Sequence, residues 1–390
     1  MKKTAAILLS AVLLCAVTGC GDSGTNIPSA PPAQTDGLNP SPEAESPGAE
    51  GGDTASPNKD AVAASTLMMT VDGDAVTWDD YYPWLIYSKV SFEESYGEIM
   101  DYSADIGAGI TYSDYILDNA SGALRYYRGI EKNAAAEGIS LTDEDREKLT
   151  ESIEQGAASF ESEEEYARHM DKSFGGLEHY EYMLTVSMLY SKCFAEKYGE
   201  TGEKLSDEDV LEYSADDGYM MAKHILLRTV DDSNAPVSDE EKAEKRSQME
   251  SMLTKLKACP DTEAVGAMFD ELMNEHSEDT GLEAFPDGYL FQTGEMVEEF
   301  EKAAAALGEN EFSDIVETKF GYHIVLRMPI NLDTIPMAYQ QYTQYGLPYT
   351  LRYITADNMF SEIVSGWSEN VTVVTEEKFE LLDLSEIFGQ

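Results

Sequence analysis

The sequence predicts an α+β protein, in which a mostly helical segment at 66–217 is followed by a unit of mixed strands and helices at 218–329. In the helical segment, a serine or threonine followed three residues later by aspartate recurs as a helix-start signal. At Gly218 the pattern changes to the two-residue alternation of a strand. From there the predicted order is a strand, two helices, a short strand, a helix and two strands.

Local signals support this division. Residues 69–76 predict two short strands around a tight Asp-Gly turn. Helix starts are predicted at Thr77, Thr142 and Ser206, and a capping box opens the first helix of the second unit at Ser238. The first segment is therefore a tyrosine- and methionine-rich helical module.

The second unit opens with a strand at 219–228. Its alternation places Ala222, His224 and Leu226 on one face. The helices that follow carry apolar stripes at helical spacing. The stripe residues are Met249, Met252, Leu253 and Leu256 in the first helix, Val265, Met268, Phe269, Leu272 and Met273 in the second, and Met296, Phe300 and Ala303 in the third.

The N-terminal residues predict export. Two lysines precede an apolar run at 5–17, which is too short for a permanent membrane span. This pattern is typical of a secretory signal at 1–19. The run ends in VTGC at 17–20, which resembles a bacterial lipobox, and the resemblance implies cleavage before Cys20 and lipidation of its thiol. The alternative is an ordinary signal peptide with a chance cysteine.

Residues 20–65 are predicted to be a disordered, lipidated tether. The stretch 21–65 has no aromatic residue and contains half of the fourteen prolines of the chain. Such a segment cannot bury enough apolar surface to offset the entropy of ordering. The roughly 325 residues that remain are enough for two domains.

Charge and cysteine content exclude several classes of function. The chain has 75 acidic and 26 basic residues, a net charge of −49, which argues against nucleic-acid partners and against adsorption to anionic lipid. A solvated acidic surface is the simplest interpretation, and attraction of basic clients is the alternative. No CxxC or Cys/His cluster is present, so neither a metal nor a cofactor is expected. Cys193 and Cys259 give no support for a disulfide.

Four segments of the second unit together resemble, in order, the motifs of parvulin-type peptidyl-prolyl isomerases. They read AKHILL at 222–227, HSED at 276–279, GEMVEEFE at 294–301 and VETKFGYHIV at 316–325. The resemblance implies a small antiparallel sheet flanked by helices. The lipobox, the helical module and a segment at 330–390 that returns to this module resemble PrsA- and SurA-like foldases.

The parvulin resemblance implies a site. His224, Asp279 and His323 are the implied catalytic residues. The implied substrate-binding residues are Met296, Phe300, Phe291, Ser277 and Leu226. We expect burial to raise the pKa of Asp279, and pairing of the histidines to keep at least one imidazole neutral.

Each of these residues also has a structural interpretation. The two histidines are compatible with satisfied core positions, and Asp279 with a turn cap. Met296 and Phe300, at i and i+4 of a predicted helix, are compatible with ordinary core packing. His179 is predicted to lie on the surface.

The resulting hypothesis is an isomerase and chaperone that acts on unfolded exported proteins at X-Pro bonds. It would lie on the extracytoplasmic face of the cell membrane, held by its lipid anchor only. Residues 285–291 stand where the family often has a Gly-Gly-Asp-Leu-Gly run, which motivates an inactive holdase as the alternative. Asp231 and Asp232 argue against phosphoserine-proline recognition. A solute-binding lipoprotein would need alternating strands and helices in 66–217, which the pattern lacks.

Clients, oligomeric state and the role of the tyrosine-rich stretch at 337–353 are left open by the sequence.

Overall fold

The computed structural model describes residues 57–389. The predicted signal sequence, the lipidation site Cys20 and the tether up to residue 56 lie outside the described residues. Residues 57–65, which the sequence places in the tether, contain a short 3-10 helix, and the Asn58 amide donates to the Ile387 carbonyl at 2.6 Å. Within 57–389, no helix combines the length and the apolar character that crossing a membrane requires.

The backbone contacts divide the chain into two compact units. One comprises the described part of Met1–Glu196 together with Phe360–Gln390, and the other is Lys197–Met359. The sequence placed the corresponding boundaries at 217/218 and 329/330, so the second unit is longer at both ends than the predicted 218–329.

The elements follow in chain order. Up to residue 198 they are β1 (Leu67–Val71), β2 (Asp74–Thr77), α1 (Trp78–Tyr96), β3 (Asp105–Gly107), β4 (Ile110–Thr111), α2 (Tyr112–Ala136), α3 (Asp143–Ala157), α4 (Glu163–Phe174) and α5 (Leu177–Tyr198). Up to residue 328 they are α6 (Asp207–Tyr213), β5 (Met220–Arg228), α7 (Asp239–Lys257), α8 (Thr262–His276), β6 (Tyr289–Phe291), α9 (Glu298–Ala306), β7 (Val316–Glu317) and β8 (Gly321–Met328). The remaining ones are α10 (Leu351–Glu369), β9 (Val373–Thr375) and α11 (Leu384–Phe388).

The predicted hairpin near the start of the first unit is confirmed. β1 and β2 pair antiparallel around Asp72 and Gly73, whose φ angles of 52° and 90° suit a two-residue hairpin turn. β9 pairs with the other edge of β1, giving the order β2-β1-β9. The first unit therefore contains strands from both ends of the described chain.

The helix caps are mostly as predicted. The boxes at Thr142 and Ser206 have both reciprocal bonds, and at Thr77 the backbone amide donates to the Asp80 carboxylate at 2.8 Å. The box predicted at Ser238 was wrong in one half: the Ser238 hydroxyl accepts from the Glu241 amide, but the Glu241 carboxylate lies 3.8 Å from the Lys245 ammonium instead of returning to the cap. A nearby lysine at i+4 offers the carboxylate a competing partner.

The surface position predicted for His179 was wrong. Its ring packs edge-on against Trp84 at 4.4 Å, and its Nδ1 lies 2.7 Å from the Phe174 carbonyl. Its Nε2 is buried and has no hydrogen-bond partner within the described residues. Burial lowers the pKa of His179 to about 4. Tyrosines on several sides of α5 hid the buried face from a periodicity argument.

The second unit contains the predicted small antiparallel sheet, which confirms the α+β class. Its order is β6-β5-β8-β7, and the central pair β5–β8 extends from Met221 opposite Met328 to Arg228 opposite Gly321. One face, here called the apolar face, presents Ile225 and Ile324 to α7 and α8. The opposite face, here called the site face, carries His224 and His323 and packs against α9.

The start of the third helix of this unit differs from the prediction. α9 begins at Glu298, so Met296 precedes it and does not share a helix face with Phe300. Gly294 has a φ of 96°, and its amide donates to the Glu301 carboxylate at 2.7 Å. The first amides of a helix have no acceptor within the helix. In this turn the Gly294 amide has the Glu301 carboxylate as its acceptor, so an earlier helix start is not needed.

Candidate active site

The two histidines and the aspartate predicted from the sequence lie in one hydrogen-bonded chain. His224 Nδ1 is 3.0 Å from His323 Nδ1, and His224 Nε2 is 2.8 Å from Asp279 Oδ2. The two imidazole rings are stacked, with centroids 5.2 Å apart. The side chains of His224 and Asp279 are 12% and 14% exposed, so the chain reaches the surface at this end, whereas His323 is buried.

Strand register brings the histidines together. His323 is paired with Leu226 and His224 with Val325, so both histidines lie on the same face of two neighbouring antiparallel strands, one diagonal step apart. Both histidines lie within strands, so no loop is needed to hold them in contact. The sheet itself therefore fixes the distance between the two rings.

Asp279 is positioned by hydrogen bonds between its neighbours and the backbone of β5. The Leu226 amide donates to Ser277 Oγ at 3.1 Å, and the Glu278 amide donates to the Leu226 carbonyl at 2.7 Å. These bonds fix the end of α8 beside β5. Leu226 and Ser277, predicted as substrate-binding residues, thus hold the segment that carries Asp279 in place in this structure.

Two further residues extend this chain of hydrogen bonds, and sequence reasoning missed both. The Tyr289 hydroxyl donates to Asp279 Oδ2 at 2.6 Å, and Thr318 Oγ1 lies 2.9 Å from His323 Nε2. Thr318 lies within the segment 316–325 that resembles a parvulin motif, so the sequence contained a signal for it. Tyr289 lies in the departing segment 285–291, and only the pairing of β6 with β5 reveals its role.

The expected rise in the pKa of Asp279 was wrong. Burial does raise the pKa, but the hydrogen bond and charge of His224, then the Tyr289 hydroxyl and the Gly281 amide, outweigh burial and bring it to about 2. Burial and the neighbouring His224 lower the pKa of His323 to about 3. The expectation that one imidazole stays neutral is therefore confirmed for His323.

A neutral His323 gives the chain two consistent arrangements of protons. With a proton on His224 Nδ1, that nitrogen donates to His323 Nδ1, and His323 Nε2 donates to Thr318. Without a proton on His224 Nδ1, that nitrogen accepts from His323 Nδ1, and His323 Nε2 accepts from the Thr318 hydroxyl. In both, His224 Nε2 donates to Asp279, so the carboxylate stays oriented.

The apolar wall beside this chain comes from α9 and β6. The Phe300 ring is edge-on to His224 at 5.2 Å and is 3% exposed. Phe291 is fully buried and packs behind Phe300 at 5.9 Å. Met296 is half-buried at the edge of the same cluster. Of the predicted proline-pocket residues, Met296 is therefore the most accessible, and Phe291 supports Phe300.

Comparison with known proteins agrees with this geometry. Residues 224–328 match the rotamase family described as the PPIC-type PPIASE domain. The chain carries a parvulin-type domain. The matched range begins at His224 and ends with β8, so it contains Asp279, Tyr289, Thr318 and His323 as well.

Proteins similar to parts of the chain include foldases and chaperones by name. Foldase protein PrsA of Oceanobacillus iheyensis is 32% identical over 191 residues, which is 48% of this chain and 54% of the relative. Chaperone SurA of Thiobacillus denitrificans is 33% identical over 122 residues, 31% of this chain and 25% of the relative. The chain thus spans about half or less of these relatives, and the similarity is PrsA- and SurA-like.

A crystal structure of peptidylprolyl isomerase (PrsA) from Bacillus cereus also matches. It is 15% identical, covers 84% of this chain and all of that chain, and overlays with a TM-score of 0.29. At this score the overlay adds nothing to the assignment of the parvulin-type domain, which depends on the family match and the site geometry.

Proposed function

We propose that the protein is a peptidyl-prolyl cis-trans isomerase and chaperone that assists the folding of exported proteins. The observation that carries the proposal is the continuous chain of hydrogen bonds through Asp279, His224 and His323 beside an apolar wall. In this proposal these three are the catalytic residues. Met296 and Phe300 contact the substrate proline, and Phe291, Ser277 and Leu226 shape the site.

The reaction needs a twisted amide, not a nucleophile. The C–N barrier is about 18–20 kcal/mol because the bond is partly double, and uncatalysed X-Pro exchange takes tens to hundreds of seconds or so. Catalysis requires tighter binding of the twisted amide than of the planar one. Met296 and Phe300 grip the proline ring, which leaves the preceding carbonyl to rotate.

The carboxylate of Asp279 supplies the differential electrostatics. In the planar amide, resonance places negative charge on the carbonyl oxygen, and twisting removes it. A carboxylate beside that oxygen repels the planar form more than the twisted form. The low pKa of Asp279 keeps this charge in place at neutral pH, and His224 and Tyr289 keep it oriented.

The test is isomerisation of short X-Pro peptides by the full chain, with a matched pair of variants. Asp279→Asn should lower kcat/KM by about 100-fold, the scale of losing one electrostatic group in an active site. Asp270→Asn removes a carboxylate that pairs with Lys223 at 2.8 Å on the apolar face, and it should stay within about twofold of the parent.

Equal losses in both variants would show that the carboxylates act through stability alone. No acceleration by the parent, across several residues before proline, would contradict the isomerase proposal. The departing segment at 285–291 would then favour the holdase, and suppression of aggregation would be its measurement.

For localisation we propose the extracytoplasmic face of the cell membrane, with a lipid on Cys20 as the anchor. The support is the signal-like run at 5–17 and the lipobox-like sequence that ends at Cys20. Two or three acyl chains give far more stable anchoring than one. In this proposal the residues up to about 56 form a tether, and unfolded exported chains are the partners.

A further inference from the structure

The tyrosine-rich stretch whose role the sequence left open forms a compact cluster in the second unit. The tyrosine cluster consists of Tyr339, Tyr342, Tyr349 and Tyr353, all half-buried. Tyr349 lies 6.0 Å from Tyr339 and 6.1 Å from Tyr353, measured between ring centroids. The first of these pairs is stacked at 29° and the second is edge-on at 82°, so ring faces point in more than one direction.

A carboxylate without a partner adjoins this cluster. Asp357 follows Tyr353 by four residues on α10, so the two side chains share a helix face. In the part of the chain that the structure describes, the Asp357 carboxylate is partly buried and has no hydrogen bond and no ion pair. Burial raises its pKa to about 6.

The charged side chains that shift the pKa of Tyr339 are all acidic. Burial raises the pKa of Tyr339 most, and Asp357, Asp217 and Glu295 raise it further through their charges. No lysine or arginine within residues 57–389 forms an ion pair with any of these three carboxylates. The surroundings of Tyr339 are thus aromatic and electronegative.

Aromatic faces and an adjacent carboxylate are the two groups that attract a cationic side chain. The negative face of a tyrosine ring favours a guanidinium or ammonium group within about 6 Å, and more strongly when the site is desolvated. Burying a carboxylate without a partner is costly, and a cation that pairs with it removes part of that cost. A planar guanidinium satisfies both contacts at once, since it stacks on rings and pairs with carboxylates.

We propose that the tyrosine cluster and Asp357 form a site for an arginine or lysine side chain of an unfolded client. The choice of ligand rests on the proposed role in handling unfolded chains. The site itself rests on the ring geometry and on the unpaired carboxylate. The net charge of −49 would bring positively charged segments to this surface and keep negatively charged ones away.

The experiment measures binding of two disordered Gly/Ser peptides to the full chain by calorimetry at low salt. One peptide carries several arginines, and the other carries citrulline, the neutral isostere, at the same positions. Neither contains proline, so the proposed isomerase site is not engaged. The arginine peptide should bind at least tenfold more tightly than the citrulline peptide, and added salt should weaken it.

Two variants assign the binding to the cluster. Asp357→Asn and Tyr353→Leu should each weaken the arginine peptide by about tenfold and leave the citrulline peptide unchanged. Asp314→Asn, which removes an 81% exposed carboxylate elsewhere in the same unit, should stay within about twofold of the parent. Isomerisation of a neutral proline peptide should be unchanged in Asp357→Asn, which also reports that the variant is folded.

Equal binding of the two peptides, or an unchanged affinity in both site variants, would overturn the inference. Failure of the isomerase proposal gives a different result. In that case the parent would not accelerate isomerisation, but the arginine peptide would still depend on Asp357 and Tyr353. Such a result would support the binding site and leave the protein a holdase with a preference for basic segments.

Discussion

The two faces of the β5–β8 sheet share the same strands but differ in composition. The apolar face buries a continuous hydrophobic cluster against α7 and α8. The site face buries a smaller cluster against α9 and places two histidines among its hydrophobic side chains. The same alternation that sends Ile225 to one side therefore sends His224 to the other.

Neighbouring residues of one strand therefore serve different ends, since one packs in the hydrophobic core and the next lies in the candidate site. Polar groups on the site face are satisfied by one another and by Thr318 and Tyr289, so burial there does not leave them unpaired. The apolar face contributes transfer free energy without such constraints. Substitutions on the apolar face should therefore change stability, and substitutions on the site face should change activity or pH dependence.

The largest effect should come from a cavity on the apolar face. Leu272 on α8 is 1% exposed, and Leu272→Ala should lower the free energy of unfolding by about 2–5 kcal/mol. Leu211, which is 45% exposed in the same unit, is the matched control, and Leu211→Ala should cost less than about 0.5 kcal/mol. Urea unfolding followed by circular dichroism measures both. Similar losses in the two variants would place Leu272 outside the core.

The site face should make stability depend on pH. His323 has a pKa of about 3 in the folded protein and an ordinary value near 6.5 when unfolded. Between these values the unfolded chain binds one proton more, so stability falls as the pH drops below about 6.5, by up to about 1.4 kcal/mol per pH unit. Urea midpoints from pH 7.5 to 5.5 should show a steeper loss in the parent than in His323→Gln.

His276 provides the control for this pH effect. It is exposed at the end of α8, and His276→Gln should keep the slope of the parent. The first unit contributes a slope of its own through His179, whose pKa is also lowered, and this contribution cancels in the difference between parent and variant. Equal slopes in the parent and in His323→Gln would contradict the assignment of a neutral His323.

The smallest expected effect comes from removing a single hydroxyl, and it is compared at Tyr289 and Tyr322, which are both 8% exposed. Tyr289→Phe removes the hydroxyl that donates to Asp279, and kcat/KM for a proline peptide should fall by about tenfold, the scale of one hydrogen bond to a charged group. Tyr322→Phe, in the apolar-face cluster, should leave kcat/KM within about twofold. A loss in Tyr322→Phe equal to that in Tyr289→Phe would indicate a packing effect.

The sequence predicted the parts of this molecule that depend on short-range signals. The element order of the second unit, the stripes of α7 and α8 and the face of His224 all follow from alternation and helical spacing. The contact between His224, Asp279 and His323 came from a family resemblance, because a pairing of residues about one hundred positions apart has no local signature. In the structure, the register of β5 and β8 brings the two histidines together.

Two of the predictions that failed involve competition between partners. Burial of Asp279 was visible from its motif, but the three donors that outweigh burial come from β5, β6 and the turn at Gly281. The Glu241 carboxylate does not return to the cap at Ser238, and it lies 3.8 Å from the Lys245 ammonium instead. Tyr289 lies in a segment that departs from the family, so neither the motif nor the spacing indicated that its hydroxyl completes the site.

The pairing of β9 with β1 has a consequence for the time course of folding. The Thr372 amide donates to the Asp72 carboxylate across 300 positions, and Val373 is paired with Val71. A chain that emerges from a ribosome or a translocon N-terminus first presents β1 long before β9 exists. This sheet can therefore be completed only after residue 375 has emerged, whereas every strand of the β6-β5-β8-β7 sheet is available by residue 328. The edge of β1 stays open throughout that interval, so a protein proposed to assist folding has an unpaired strand edge of its own to protect.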